Sequence, residues 1–138
     1  MTCIQELRVQ GVRNLEPLVC NPSASATVIW GENGAGKTAV LEAIYLLAAG
    51  RSFREHRLQR CQQWQAAQMT VFASVTDNQE VCQQLGWQRT GQETLLRVNG
   101  QSVASQAAIA QRLPVQVFAP DHQDAWVQGP AERRKLMD

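Results

Sequence analysis

GENGAGKT, residues 31–38, fits the phosphate-binding pattern G-x-x-x-x-G-K-[ST] at every fixed position. The pattern has meaning only between a strand and a helix, and the flanking residues predict both. ATVIW, residues 26–30, is a short apolar run of β-favouring residues. GKTAVLEAIYLLAAG, residues 36–50, carries Val40, Leu41, Ile44, Leu47 and Ala48 at helical spacing and ends on Gly50, a residue suited to a left-handed helix stop. In such a loop the glycines let backbone N–H groups converge on phosphates with no Cβ in the way, and the helix N-terminus adds partial positive charge. Lys37 is then placed to reach the β and γ phosphates and Thr38 to set its hydroxyl on Mg2+. The candidate cradle is Gly31, Glu32, Asn33, Gly34, Ala35, Gly36, Lys37, Thr38 and the following Ala39, with Lys37 and Thr38 as the catalytic candidates. The loop specifies a nucleoside triphosphate and leaves the base open.

The 138 residues fit one domain, short for a complete ATPase of this kind. Apolar content of 44% and charged content of 18% place the chain with globular proteins, and a net charge of +1 makes the position of charges more informative than their sum. No stretch approaches the length of a membrane span, and MTCIQELRVQ lacks the pattern of a signal peptide, so a cytoplasmic protein without membrane contact is expected. Cys3, Cys20, Cys61 and Cys82 are widely spaced and form no C-x-x-C pair; they are expected to be reduced, small and apolar.

Upstream of the loop, residues 3–12 and 15–19 read as two adjacent strands around the polar pair Arg13 and Asn14. That pair suits either a solvated turn or a position beside the nucleotide. Downstream of the helix, RSFREHRLQR places Arg51, Arg54, Arg57 and Arg60 at three-residue spacing. Such a run is either a solvated face or a surface for a phosphate backbone, for which the planar guanidinium is well suited.

From Met69 the apolar period changes to two. Residues 69–75, 80–89 and 93–98 read as strands of an antiparallel meander, and Asn99-Gly100 is a two-residue hairpin signal. Trp64 and Trp87 read as packing residues. A short helix over 105–113, capped by Ser102 or Ser105, precedes a buried strand at 115–118 expected beside the phosphate-loop strand. Asp121 follows it as a helix cap or a metal or water-positioning acid, and 130–138 reads as the start of a basic helix.

Together the blocks VRNLEPL (12–18), WGENGAGKTAVLEAIYLLAAGRSFR (30–54), LLRVNG (95–100), LPVQVFAPD (113–121) and GPAERRKLMD (129–138) resemble the N-terminal part of the RecF family of DNA-repair ATPases, whose heads are related to those of SMC proteins and ABC ATPases. Departures from the family pattern are conservative: Val12 stands where phenylalanine is usual, and Trp30 where an aliphatic or tyrosine is commoner. The resemblance implies an α/β fold, a P-loop NTPase of ABC/SMC-head type represented by its N-terminal lobe with an antiparallel β meander. Residues 1–138 would form lobe I of an ATP-binding head, without the second lobe, the helical arm, the Walker B strand or the signature segment.

The implied function is ATP-dependent DNA binding in recombinational repair and replication-fork maintenance, with the complete protein a DNA-dependent ATPase and this stretch alone hydrolysing ATP negligibly. The implied cofactors are ATP and Mg2+. The implied partners are double-stranded DNA and single-strand/double-strand junctions, a second copy in an ATP-dependent homodimer, and proteins of the RecR and RecO type. The resemblance also puts Arg13 and Asn14 near the nucleotide and Arg51, Arg54 and Arg57 toward DNA. Two other readings of the P-loop are a small-molecule kinase, which the meander disfavours, and an inactive truncated nucleotide-binding module.

Overall fold

In this computed structural model the described residues are 1–119. Their sheet forms because short segments alternate between apolar and polar residues. In β3 (Met69–Thr76), Met69, Val71, Ala73 and Val75 are buried while the residues between them are half-buried. The same period runs through β1 (Cys3–Gln10), β4 (Cys82–Thr90) and β5 (Glu93–Val98), so each strand turns one row of side chains inward. Two three-residue strands, β2 (Leu18–Cys20) and β6 (Gln101–Val103), complete a six-stranded sheet of order β2-β1-β3-β4-β5-β6, antiparallel at every pairing. Asn99 and Gly100 both adopt positive φ (50° and 81°) between the paired residues Val98 and Gln101, the geometry of a tight hairpin turn.

Helix α1 (Lys37–Ala49) lies on the inner face of this sheet. Its Ala39, Ala43, Leu46 and Leu47 enter one core with Leu7, Val9, Val71, Ala73, Leu85 and Trp87. Gly50 ends the helix at φ 69°, and its N–H donates to Leu46 O at 2.8 Å. The side-chain amide of Gln106 donates to Leu47 O and Ala48 O at 2.8 and 3.1 Å, so with Gly50 N–H on Leu46 O three of the four carbonyls that a helix end leaves open have partners. Gln106 starts α2 (Gln106–Ala110), whose N-terminus is capped by Ser105 Oγ accepting from Ala107 N at 3.1 Å.

Several sequence expectations are corrected. Residues 26–30 and 115–118, both expected as strands, have no strand pairing. A β-strand is defined by ladder hydrogen bonds to a neighbour, and among the described residues neither segment has one; Val28 and Trp30 accordingly stand 82% and 87% exposed. Apolar character alone did not supply the missing partner. Trp64 is likewise exposed, whereas Trp87 is buried as expected. The segment after α1 is irregular except for one 3-10 turn (Leu58–Cys61). Asp121 and the basic helix expected over 130–138 lie outside the described residues.

Candidate nucleotide site

The loop at 31–36 is shaped by glycines at positions that L-residues with side chains resist. Gly34 and Gly36 adopt φ 84° and 95°, and Gly36 is the N-cap of α1. A Cβ on Gly36 would also lie 2.7 Å from Leu15 Cδ2, so the loop rests directly on the turn after β1. Inside it, Ala35 N–H donates to Glu32 O at 3.2 Å. Gly36, as N-cap, brings no side chain to accept from the first-turn N–H groups of α1. The Lys37 ammonium folds back over the loop, donating to Gly31 O and to Glu32 O, the latter at 3.1 Å.

This arrangement borders a cleft of about 220 Å³ lined by Asn14, Asn33, Gly34, Gly36, Lys37, Thr38, Ala39 and Arg54. That is below the ~300–1,000 Å³ of pockets that enclose a whole small molecule, so it suits phosphate groups with a base lying outside. Among the described residues no acidic side chain lines it, and no cluster of three or more His, Cys, Asp or Glu could hold a metal ion. The donor set instead fits an ion held chiefly by phosphate oxygens and water with one hydroxyl, that of Thr38, as Mg2+ prefers.

The two residues of the turn after β1 have different tasks. Asn14 Nδ2 donates to Gly34 O at 2.8 Å, reaching the phosphate loop itself. Arg13, at φ 50°, points instead to Glu42: its Nε and Nη2 donate to Oε2 and Oε1, each at 2.9 Å. The turn is pinned on its other side, where Arg13 N donates to Cys61 O at 2.7 Å and Gln63 Nε2 to Leu15 O at 3.0 Å.

Glu42 is the residue that sequence reasoning missed. It is fully buried on α1, one turn after Thr38. Besides Arg13 it accepts from Arg54 Nη2 at 2.8 Å, from Ser52 Oγ and from Cys61 Sγ at 3.4 Å. Burial works to raise its pKa, but hydrogen bonds from Arg13, Ser52 and Arg54, with the charge of Arg13, outweigh that and hold it at about 2. The same bond raises the pKa of Arg13, while burial and the neighbouring carboxylate push the Cys61 thiol up to about 11. The available signal was a carboxylate at position 42 within the buried stripe of Ala39, Ala43, Leu46 and Leu47, where an acid needs a cationic partner.

The basic run is thereby divided. Arg54 faces Glu42 and the cleft together, and Phe53 meets the Tyr45 ring edge-on at a centroid distance of 5.7 Å, tying the segment to α1. Arg51 and Arg57 are exposed and make no ion pair among the described residues. Arg60 lies 3.6 Å from Glu55. A second depression, an apolar groove of about 520 Å³, runs between β1, β2, α1 and residues 27–30 and includes Trp30 and Leu41.

Comparison with known proteins matches these features. Residues 3–121 match the model of the RecF/RecN/SMC N-terminal domain. The chain is 40% identical over 136 residues to the DNA replication and repair protein RecF of Pseudomonas paraeruginosa and 38% identical to that of Shewanella woodyi, in each case over 98% of this chain. It spans about 37% of the length of these curated relatives. A solved structure of the recombination mediator protein RecF with ATP superposes with a TM-score of 0.87 at 26% identity, covering 99% of this chain and 38% of that one. The SMC head domain from Thermotoga maritima shares the fold, with a TM-score of 0.64 at 20% identity over 79% of this chain and 41% of that one. No helix among the described residues is long and apolar enough to cross a membrane. A match that runs from β1 through the phosphate loop and the meander means that this chain belongs to the RecF/RecN/SMC N-terminal domain family.

Proposed function

We propose that this chain is the ATP-binding lobe of a RecF-type DNA replication and repair protein. The observation that carries the reading is the phosphate loop: left-handed Gly34 and Gly36 lead into α1 with Lys37 and Thr38 at the edge of a phosphate-sized cleft. The loop residues Gly31, Glu32, Asn33, Gly34, Ala35 and Gly36, with Ala39, form the cradle. Lys37 neutralises the β and γ phosphates, and Thr38 ligates Mg2+. Asn14 acts on the loop backbone, and Arg13 acts through Glu42. In the whole protein this lobe is completed by a second lobe and a helical arm.

Hydrolysis needs an aligned water and a group to orient it, and among the described residues no acidic side chain lines the cleft. On this reading the chain binds ATP and turns it over negligibly by itself. In the whole protein, ATP closes two copies into a dimer that holds duplex DNA and single-strand/double-strand junctions, and proteins of the RecR and RecO type act with it. The exposed Arg51 and Arg57 supply phosphate contacts to DNA, whereas Arg54 serves the nucleotide side of the same segment.

ATP titration of the wild-type chain and of Lys37→Ala, in the presence of Mg2+, tests the central claim. Saturable binding lost in the variant is expected; equal binding by both overturns it. For DNA, replacing Arg51 and Arg57 with Ala in the full-length protein should weaken duplex binding and flatten its salt dependence.

A further inference from the structure

The Arg54 guanidinium faces two anionic positions at once. Its Nη2 donates to Glu42 Oε2 at 2.8 Å, and the side chain, 38% exposed, lines the phosphate cleft beside Lys37 and Thr38. A guanidinium carries five N–H donors in a fixed plane, so a bond to Glu42 through one of them leaves others for the cleft. Glu42 is equally divided. One carboxylate serves both Arg13 and Arg54, so one negative charge meets two positive ones and the cluster keeps an excess positive charge next to the cleft.

We propose that Glu42 is a positioning residue for nucleotide binding: a buried carboxylate on the phosphate-loop helix that fixes the plane of Arg54 and presents its remaining donors to the phosphates. The inference rests on the reading of the cleft as an ATP site. Glu42 suits the task because α1 carries it together with the cradle, one turn beyond Thr38. Arg13 makes the anchor rigid: its Nε and Nη2 hold the two carboxylate oxygens, and its Nη1 and backbone N–H bond Arg60 O and Cys61 O of the segment after α1. Ser52 Oγ adds a third fixed point, since it donates to Glu42 and accepts from the N–H groups of Arg54 and Glu55 at 3.0 and 3.1 Å. The backbone and the side-chain head of Arg54 are thus both referenced to one carboxylate. A guanidinium held in this way loses less freedom when it meets phosphate than a free surface arginine does.

ATP binding by the full chain tests this in Glu42→Gln, Arg54→Ala and the double variant. Each single change should weaken ATP binding by about tenfold, the scale of a charge-assisted hydrogen bond. The double variant should bind no more weakly than Arg54→Ala, because Glu42 acts through Arg54; a purely structural Glu42 would give additive losses. Additive losses, or wild-type affinity in either single variant, overturn the proposal. Because Glu42→Gln can unfold the core, a second measurement uses the wild-type chain. The Nε–H resonance of Arg54 should shift on addition of ATP while that of Arg13 stays in place; an unmoved Arg54 signal overturns the proposal. If the wild-type chain shows no Lys37-dependent ATP binding, the reading of the site fails as well. If that binding is present and Arg54→Ala leaves it intact, only the positioning role fails.

Discussion

The side-chain amide of Asn14 donates to the carbonyl oxygen of Gly34 at 2.8 Å, so the turn after β1 holds the phosphate loop by its backbone. The bond crosses twenty residues of sequence. Asn14→Ala removes it, and ATP affinity should fall roughly fivefold, the scale of about 1 kcal/mol for one hydrogen bond. Asn14→Asp sets a carboxylate against the Gly34 carbonyl and beside the phosphates, and should lose more. Titration of both variants with a fluorescent ATP analogue checks the order.

Gly11 sits at φ 76° with the Gln68 carbonyl oxygen only 2.1 Å from where a Cβ would stand. Gly91 has a similar φ of 61° and nothing within 4 Å. Gly91→Ala should therefore cost only the left-handed backbone penalty of ~1–2 kcal/mol. Gly11→Ala must also move β1 away from the start of β3, and should cost upwards of about 3 kcal/mol. Equilibrium denaturation of the two variants separates conformational strain from steric contact.

Glu42 makes stability depend on acid. Its carboxyl is held at about 2, below the ordinary value of 4.5, so folding gains stability above the unfolded value and loses it as pH falls toward the folded one. The window runs from about pH 4.5 to 2. Roughly 2 kcal/mol should disappear across it, less than the whole shift implies because the Arg54 end of the cluster is open to solvent. Denaturant unfolding of wild type and Glu42→Gln over that range should give a steeper loss in the wild type.

The four thiols should differ in reactivity. Cys82 is exposed, whereas Cys61 is buried with its pKa raised to about 11. Thiolate is the reactive form, so an aromatic disulfide reagent at neutral pH should label Cys82 early and Cys61 only as fast as the protein opens. Peptide mapping of a labelling time course reads this directly. Early labelling of Cys61 would mean that the 3-10 turn carrying it opens independently of the core.

What the sequence disclosed was what neighbours along the chain decide. The phosphate loop, α1, its stop at Gly50 and the hairpin at Asn99-Gly100 are set by residues within a few positions of one another, and each appears where the pattern put it. Residues 26–30 and 115–118 have the composition of buried strands, but pairing depends on a partner that composition does not identify. Glu42 was obscure for a related reason. Its meaning lies in Arg13, Ser52, Arg54 and Cys61, spread over 49 positions and brought together only by the way the turn after β1 crosses the segment after α1. That crossing also divides the arginine run, which as sequence looked uniform.

The sheet ends on β2 and β6, each three residues long. Cross-β growth recruits segments of about six or seven residues, each templating the next along its full length. Among the described residues neither flank offers a template of that size, and the stretches of β1 and β5 that β2 and β6 leave uncovered also fall short of it, so the edges of the meander disfavour the addition of further strands.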